Sequence, residues 1–341
     1  MLMTSPSSLQ TARLGGVAVH APGRLHLGFL DPSASLGRRW GSLGLVIEGL
    51  ETVVELRAAA TAGASAGQDV APAELERALA HLATLQRIYG RSAPLHLHLA
   101  RVLPPHAGFG SGTQLALAVG RAFATLHGLE LATAELARCL GRGLRSGVGV
   151  AGFDQGGLLL DGGPGEHGHP APLLARLELP RAWRVLLVQD PSQRGLSGAT
   201  EKSALSDLPP FARSDAAAVC HEVLMRVLPG AAEGDFTSFA AGLIEMQRLV
   251  GGHFAPAQGG RLYASEPVER LCNWIARQGP AACGQSSWGP TGFAILPSQS
   301  EAERLLAAAG AAGVVAARLH TDIVAARPCG ARTRSFGPSL S

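Results

Sequence analysis

The chain has 341 residues, a net charge of +3 and only 16% charged residues, so it is long enough to bury a large core and carries no basic field of the kind that binds nucleic acid. Its five cysteines, at 139, 220, 272, 283 and 329, are dispersed without a Cys-x-x-Cys pair, which argues against a zinc site and for reduced thiols in the cytoplasm. Met1 to Gln10 lacks the basic start and apolar core of a signal peptide, no run of about 18 apolar residues occurs, and no His-Glu-x-x-His is present, so neither membrane insertion nor a His-built metal site is expected.

In chain order, strands are expected at Val17 to His20, Leu25 to Leu30, Leu43 to Ile47, Thr52 to Leu56 and Leu95 to Leu99, the last from the alternation of Leu95, Leu97 and Leu99 with polar residues. Leu75, Leu79, Leu82, Leu85 and Ile88 recur at helical spacing and predict a helix over Ala73 to Tyr89; a second is expected over Thr133 to Leu144, with Thr133 as its N-cap. The Gly- and Pro-rich passage Asp161 to Pro172 reads as a boundary or hairpin, followed by a strand at Trp183 to Gln189. We place the domain division near residue 180, giving units 1–180 and 181–341. Beyond it come helices near Ala212 to Val227, Asp235 to Leu249 and Pro267 to Arg277, a strand at Gly292 to Leu296, a helix at Ser300 to Ala309 and a strand at Val314 to Leu319, an α+β pattern throughout.

Between Leu99 and the next helical segment lies Leu103-Pro104-Pro105-His106-Ala107-Gly108-Phe109-Gly110-Ser111-Gly112-Thr113. Glycines there allow positive φ and close approach of the backbone to a ligand. Leu115, Val119, Ala122, Phe123 and Leu126 then repeat at helical spacing, so the free N–H groups of a helix start face the turn, an arrangement that attracts phosphate. No Gly-Lys-Ser/Thr closes the loop and it lacks the Gly-x-Gly-x-x-Gly spacing, which excludes a Walker A loop and a dinucleotide fingerprint.

Pro-Pro-x-Ala-Gly-Phe-Gly-Ser resembles the phosphate loop of the galactokinase, homoserine kinase, mevalonate kinase and phosphomevalonate kinase (GHMP) superfamily, and Ala21 to Gly28 and Ser286 to Phe293 fit its first and third motifs in order. Within that superfamily the segments Arg24 to Asp31, Leu36 to Gly44, Arg145 to Gly149, Arg194 to Gly198 and Gly284 to Thr291 resemble the β-ribofuranosylaminobenzene 5'-phosphate synthases. The resemblance implies a GHMP-kinase-like fold, with a ribosomal-S5-like N-terminal domain, a ferredoxin-like C-terminal domain and the site in the cleft between them. It also implies the activity: 4-aminobenzoate is joined to phosphoribosyl pyrophosphate, which is handled as its Mg²⁺ complex with no organic cofactor, with loss of carbon dioxide and pyrophosphate on the way to methanopterin-type cofactors. A homodimer is expected by the same analogy, and neither nucleic acid nor membrane is an expected partner.

Candidate residues follow from that reading. Asp31 and Arg38 match family positions implicated in activity; Arg38 would pair with a phosphate or the benzoate carboxylate, and Asp31 would hold Mg²⁺ or steady positive charge on the ribose. Asp31-Pro32-Ser33 is equally a turn sequence, and Arg38 equally a solvated charge. Gly108, Gly110, Ser111, Gly112 and Thr113 would bind pyrophosphate or the 5'-phosphate. Arg24 and His26 alternate on one strand and read as ligand contacts or as an exposed edge. Arg145 and Arg194, beside glycine and serine, suit phosphate or an ordinary loop. Ser286, Ser287 and Thr291 bracket Trp288 and Pro290, which would wall an aromatic acid. Phe153-Asp154-Gln155 sits where the kinases carry an Asp near the acceptor hydroxyl, so Asp154 is the residue that favours the rival reading, an ATP-dependent small-molecule kinase.

Overall fold

The computed structural model describes residues 15–165, 169–195 and 198–337. In chain order it contains β1 (Gly16–Asp31), β2 (Trp40–Ala58), β3 (Gly63–Ala66), α1 (Pro72–Tyr89), β4 (Leu95–Arg101), α2 (Ser111–Leu126), α3 (Thr133–Cys139), α4 (Val148–Gln155), β5 (Leu158–Asp161), β6 (Leu173–Leu177) and β7 (Arg184–Gln189). There follow α5 (Gly198–Asp207), α6 (Arg213–Glu222), a π-helical turn (Val223–Val227), α7 (Leu228–Glu233), α8 (Phe236–Phe254), α9 (Glu266–Ala276), β8 (Ala282–Gln285), β9 (Gly292–Leu296), α10 (Gln299–Ala311), β10 (His320–Val324) and β11 (Arg332–Phe336).

Two sheets organise the chain. One runs β11-β1-β2-β4-β3, with β5 pairing β2 and β6; the other runs β10-β7-β9-β8. Three apolar layers follow from strand alternation. Val17, Val19, Val54 and Leu56 pack against α1 and α2; Leu25, Leu27, Leu43 and Leu45 meet Leu187, Phe293 and the α6 and α8 side chains Val219 and Leu243; Leu186 and Leu296 cover α9 and α10.

The middle and outer layers share β1, yet its odd-numbered residues change layers between Ala21 and Leu25. A register shift between Pro22 and Arg24 is the cause: Pro22 pairs with Glu51 but Arg24 with Val46, so β2 runs three residues further than β1 across the break, and a shift by an odd number of residues turns every later side chain to the opposite face. The even-numbered Arg24 and His26 are thereby brought beneath the start of α2.

Several expectations are corrected. β1 and β2 are long single strands where pairs of short ones were expected. The helix expected to reach Leu144 stops at Cys139, with Gly141 and Gly143 at φ 65 and 77 in the turn that follows, and Ala132 takes the N-cap position assigned to Thr133. No strand forms at Val314 to Leu319; β10 begins at His320. β11 returns to the first sheet and pairs with β1, so the last strand of the chain completes the N-terminal layer. Among the described residues no helix is long and apolar enough to cross a membrane.

Candidate active site

The Pro-Pro bend and glycine loop run from β4 into α2, whose N-cap is Gly110 at φ 77. Thr113 and Gln114 donate to the Gly110 carbonyl; the amides of Ser111 and Gly112 belong to the first turn, where helical N–H groups lack an intrahelical acceptor. Gly108, at φ 93, has room for hydrogen only: a Cβ there would lie 2.5 Å from the Ser286 carbonyl oxygen. Ser286, fully buried, seals this contact by donating to the Gly108 carbonyl (2.8 Å) while accepting from the His26 amide (2.9 Å). Ser287 in turn donates its amide to the His26 carbonyl (3.1 Å). The first, second and third motifs are therefore one hydrogen-bonded unit.

Arginines surround that unit. Arg24 donates to the Gly108 carbonyl (2.8 Å), its Nε is buried without a partner, and burial pushes its pKa down to about 10. On the other side of the loop, a Cβ on Gly112 would come 2.9 Å from Arg77 and 3.3 Å from Arg142. A cleft of about 490 Å³ opens here, lined by Arg24, Arg39, Arg142 and Arg145, with Thr113, Ser146 and Ser287 among its polar neighbours and no carboxylate among the described lining residues. Such an assembly suits a polyanion.

One wall of the cleft is aromatic. The His26 and Phe29 rings lie 4.5 Å apart by centroid and the Phe29 and Trp40 rings 4.8 Å, with the Arg39 guanidinium 4.8 Å above Trp40. Behind it is a small apolar slot of about 40 Å³ between Phe29, Val250, Phe254 and Trp288, which His26 and Ser287 also line. His26 is only 3% exposed and its Nε2 has no partner; burial, then Arg24 and Arg145, push its pKa down to about 3, so the ring is neutral.

The loop carrying Arg142 and Arg145 is fixed from below by Asp161. This carboxylate is fully buried and accepts from the amides of Gly147 (2.8 Å), Val148 (3.1 Å) and Gly163 (2.7 Å) and from the Ser42 hydroxyl. Burial raises its pKa against these bonds, which favour the ionised form.

Most of the expected residues converge: Arg24, His26, Thr113, Arg145 and Ser287 line the cleft, and Gly108, Gly110, Ser111, Gly112 and Ser286 build its floor. Thr291 is buried beside them, its hydroxyl unpartnered, and its carbonyl accepts from the Ser286 amide. Arg194 is exposed, but the next residue, Gly195, donates to the His106 carbonyl (3.0 Å) and so ties its turn to the loop; Leu196 and Ser197 of that segment lie outside the described residues. Asp154 accepts from the Thr133 hydroxyl and lines a second cavity, of about 400 Å³, which meets the cleft at Arg142, Gly143 and Leu144.

Asp31 and Arg38 line a neighbouring depression that shares Trp40 with the cleft. Asp31 accepts from the Ser33 and Leu36 amides (3.0 and 2.7 Å) and the Ser35 hydroxyl (3.1 Å), so both oxygens close its own turn. Arg38 donates to the Gly163 carbonyl (3.0 Å), and its neighbour Arg39 is the one that reaches the cleft. No group of three or more His, Cys, Asp or Glu among the described residues is placed to hold a metal ion. With Asp31 committed to its own turn and no carboxylate among the described lining residues of the cleft, the described donors do not fit a protein-held Mg²⁺. Asp31→Ala should cost about 1–3 kcal/mol by leaving two amides unpaired, read as a lower urea midpoint; an unchanged midpoint would show the turn does not depend on it.

Arg39, Trp40, Phe29, Arg142 and Asp161 were not singled out in the sequence. Arg142 sits in Gly-Arg-Gly, a turn signal concealed by the longer helix expected there; no sequence signal distinguishes Arg39 from Arg38.

Two family patterns match the chain in order, GHMP kinases N terminal domain over residues 74–161 and GHMP kinases C terminal over residues 227–315. The beta-ribofuranosylphenol 5'-phosphate synthase of Archaeoglobus fulgidus is 34% identical over 295 residues, 83% of this chain and 88% of the relative. That of Methanothermobacter thermautotrophicus is 30% identical over 294 residues, 81% and 88% of the two chains. Among solved structures, mevalonate diphosphate decarboxylase from Staphylococcus aureus superposes with a TM-score of 0.68 at 13% identity, covering 94% of this chain and 98% of that one. Homoserine kinase from Cytophaga hutchinsonii gives 0.66 at 18%, covering 97% and 100%. At these identities the structural likeness is one of fold.

Proposed function

The chain belongs to the β-ribofuranosylphenol 5'-phosphate synthase family of the GHMP kinase superfamily, and from that premise we propose that it is a C-ribosyltransferase joining 4-aminobenzoate to phosphoribosyl pyrophosphate. The observation that carries this reading is the cleft itself, four arginines beside an aromatic wall, with no carboxylate among its described lining residues. A pyrophosphate leaving group needs fixed positive charge, and the electron-rich ring that attacks needs an apolar surface. Guanidinia and loop amides would stabilise the departing diphosphate before it moves, which is where preorganised charge acts most strongly. Since the described lining of the cleft offers no carboxylate to a metal, Mg²⁺ enters with the substrate as its complex, and the neutralisation supplied by this chain comes from arginine.

In the reaction the ring carbon bearing the carboxylate bonds to the anomeric carbon as the bond to pyrophosphate breaks; the carboxylate then leaves as carbon dioxide and its electron pair restores the aromatic ring. Holding ring and ribose in contact in the cleft makes the step effectively unimolecular. The relatives are named for a phenol product, so 4-hydroxybenzoate is the second acceptor to test. Purified protein with phosphoribosyl pyrophosphate and either benzoate is expected to give equal amounts of carbon dioxide and pyrophosphate and the aryl ribofuranoside phosphate by mass. Phosphorylation of homoserine, mevalonate or a sugar by ATP, with no aryl riboside formed, would establish the kinase instead.

A further inference from the structure

We propose that His26 is a catalytic residue, its Nε2 accepting the proton-bearing para group of the arene as the carbon–carbon bond forms. The proposal rests on the transferase reading above and goes beyond it to the acceptor's chemistry.

His26 is placed with unusual definition for a cleft residue. Its main-chain amide and carbonyl are both taken by the third-motif loop, through Ser286 and Ser287. Its ring leans on Phe29 and lines both the arginine-rich cleft and the apolar slot. An imidazole nitrogen left unpaired at 3% exposure is unfavourable unless something else satisfies it. The charge around it selects what that is. Arg24 and Arg145 stand close enough to oppose a second positive charge, so the ring stays neutral and one of its nitrogens is an acceptor. A phosphate has guanidinia to bind and would leave that acceptor unused. An N–H or O–H donor on an aromatic ring satisfies it and packs against Phe29.

The chemistry needs such an acceptor. When the ring carbon attacks, the ring loses an electron pair that the para nitrogen or oxygen replaces from its lone pair, and the N–H or O–H on that atom becomes strongly acidic. His26 Nε2 takes up this hydrogen bond, and with a hydroxyl the proton itself. As the carbon–carboxylate bond breaks, its pair returns to the ring and the para atom recovers its proton from the imidazolium, so the histidine ends as it began. Once pyrophosphate charge lies against Arg24 and Arg145, their opposition to imidazolium is relieved, and the base is at its strongest when substrate is bound.

The test compares wild type with His26→Phe, which keeps a ring against Phe29, and His26→Gln in case the first variant folds poorly. Turnover with 4-aminobenzoate should fall about 100-fold or more, with the KM for phosphoribosyl pyrophosphate little changed. Affinity is then measured by competition for 4-aminobenzoate and for 4-(dimethylamino)benzoate, which has no para proton. The first should weaken roughly 5-fold in the variants and the second should not change. Equal weakening of both ligands, a raised KM for phosphoribosyl pyrophosphate with turnover retained, or undiminished turnover would each overturn the assignment. If wild type itself forms no aryl riboside, it is the transferase reading that fails, whatever the variants bind.

Discussion

Gly108→Ala is expected to abolish turnover and lower stability by about 3 kcal/mol, while Gly110→Ala should fold nearly as wild type and still lose most of its affinity for phosphoribosyl pyrophosphate. Both glycines are at positive φ, 93 and 77, so either alanine carries roughly 1–2 kcal/mol of backbone strain. The neighbours separate them. At Gly108 the new Cβ meets the Ser286 carbonyl oxygen at 2.5 Å, and two backbones must part. That would break the Ser286 hydroxyl bond to Gly108 and, with it, the seat of the His26 amide. At Gly110 the nearest atom is the end of the Arg24 side chain, 3.0 Å away, which swings aside at little energetic cost but leaves the anion site. Calorimetric melting beside titration with phosphoribosyl pyrophosphate resolves the two; equal melting temperatures for both variants would show that the contact between the second and third motifs does not support the fold.

Much of this arrangement was legible in the sequence because the motifs are made of residues with restricted uses. Glycines at 108 and 110 announced a close backbone approach, and the periodicity of Leu75 to Ile88 located α1 to within a residue. What escaped was decided by tertiary pairing. β11 is Arg-Thr-Arg-Ser-Phe, exposed along its length, and exists because β1 offers it an edge; no apolar alternation marks it. Val314 to Leu319 is apolar enough for a strand, yet Gly313 at φ 66 turns the chain after α10 and the polar His320–Val324 takes the edge beside β7. In the site, the sequence named the strand and loops that converge on the cleft. It did not show that adjacent arginines part company, Arg38 to Gly163 and Arg39 to the cleft over Trp40, because two successive side chains at a turn carry no pattern that reveals which faces a ligand.

Arg24→Ala should give a large loss of turnover at a small loss of stability. The guanidinium is half-buried, lacks a carboxylate partner among the described residues, and has its pKa driven down to about 10 by desolvation. A charge held in that state is unfavourable to the free protein, and the hydrogen bond it makes to the Gly108 carbonyl offsets this by about 1–3 kcal/mol. Removing both should leave the unliganded melting temperature within a few degrees of wild type. Ligand changes the comparison. Pyrophosphate at about 100 times its dissociation constant stabilises a folded protein by roughly 2.7 kcal/mol, and that increment should be largely missing in the variant. Turnover should fall about 100-fold to 1,000-fold, as for loss of one preorganised donor at a developing anion. Arg24→Lys should recover little of it, since an ammonium cannot hold the Gly108 carbonyl and a phosphate in the same fixed plane. A variant that melts far below wild type while pyrophosphate still raises its melting temperature fully would make Arg24 a structural brace for the glycine loop, and the burden of binding the leaving group would pass to Arg142 and Arg145.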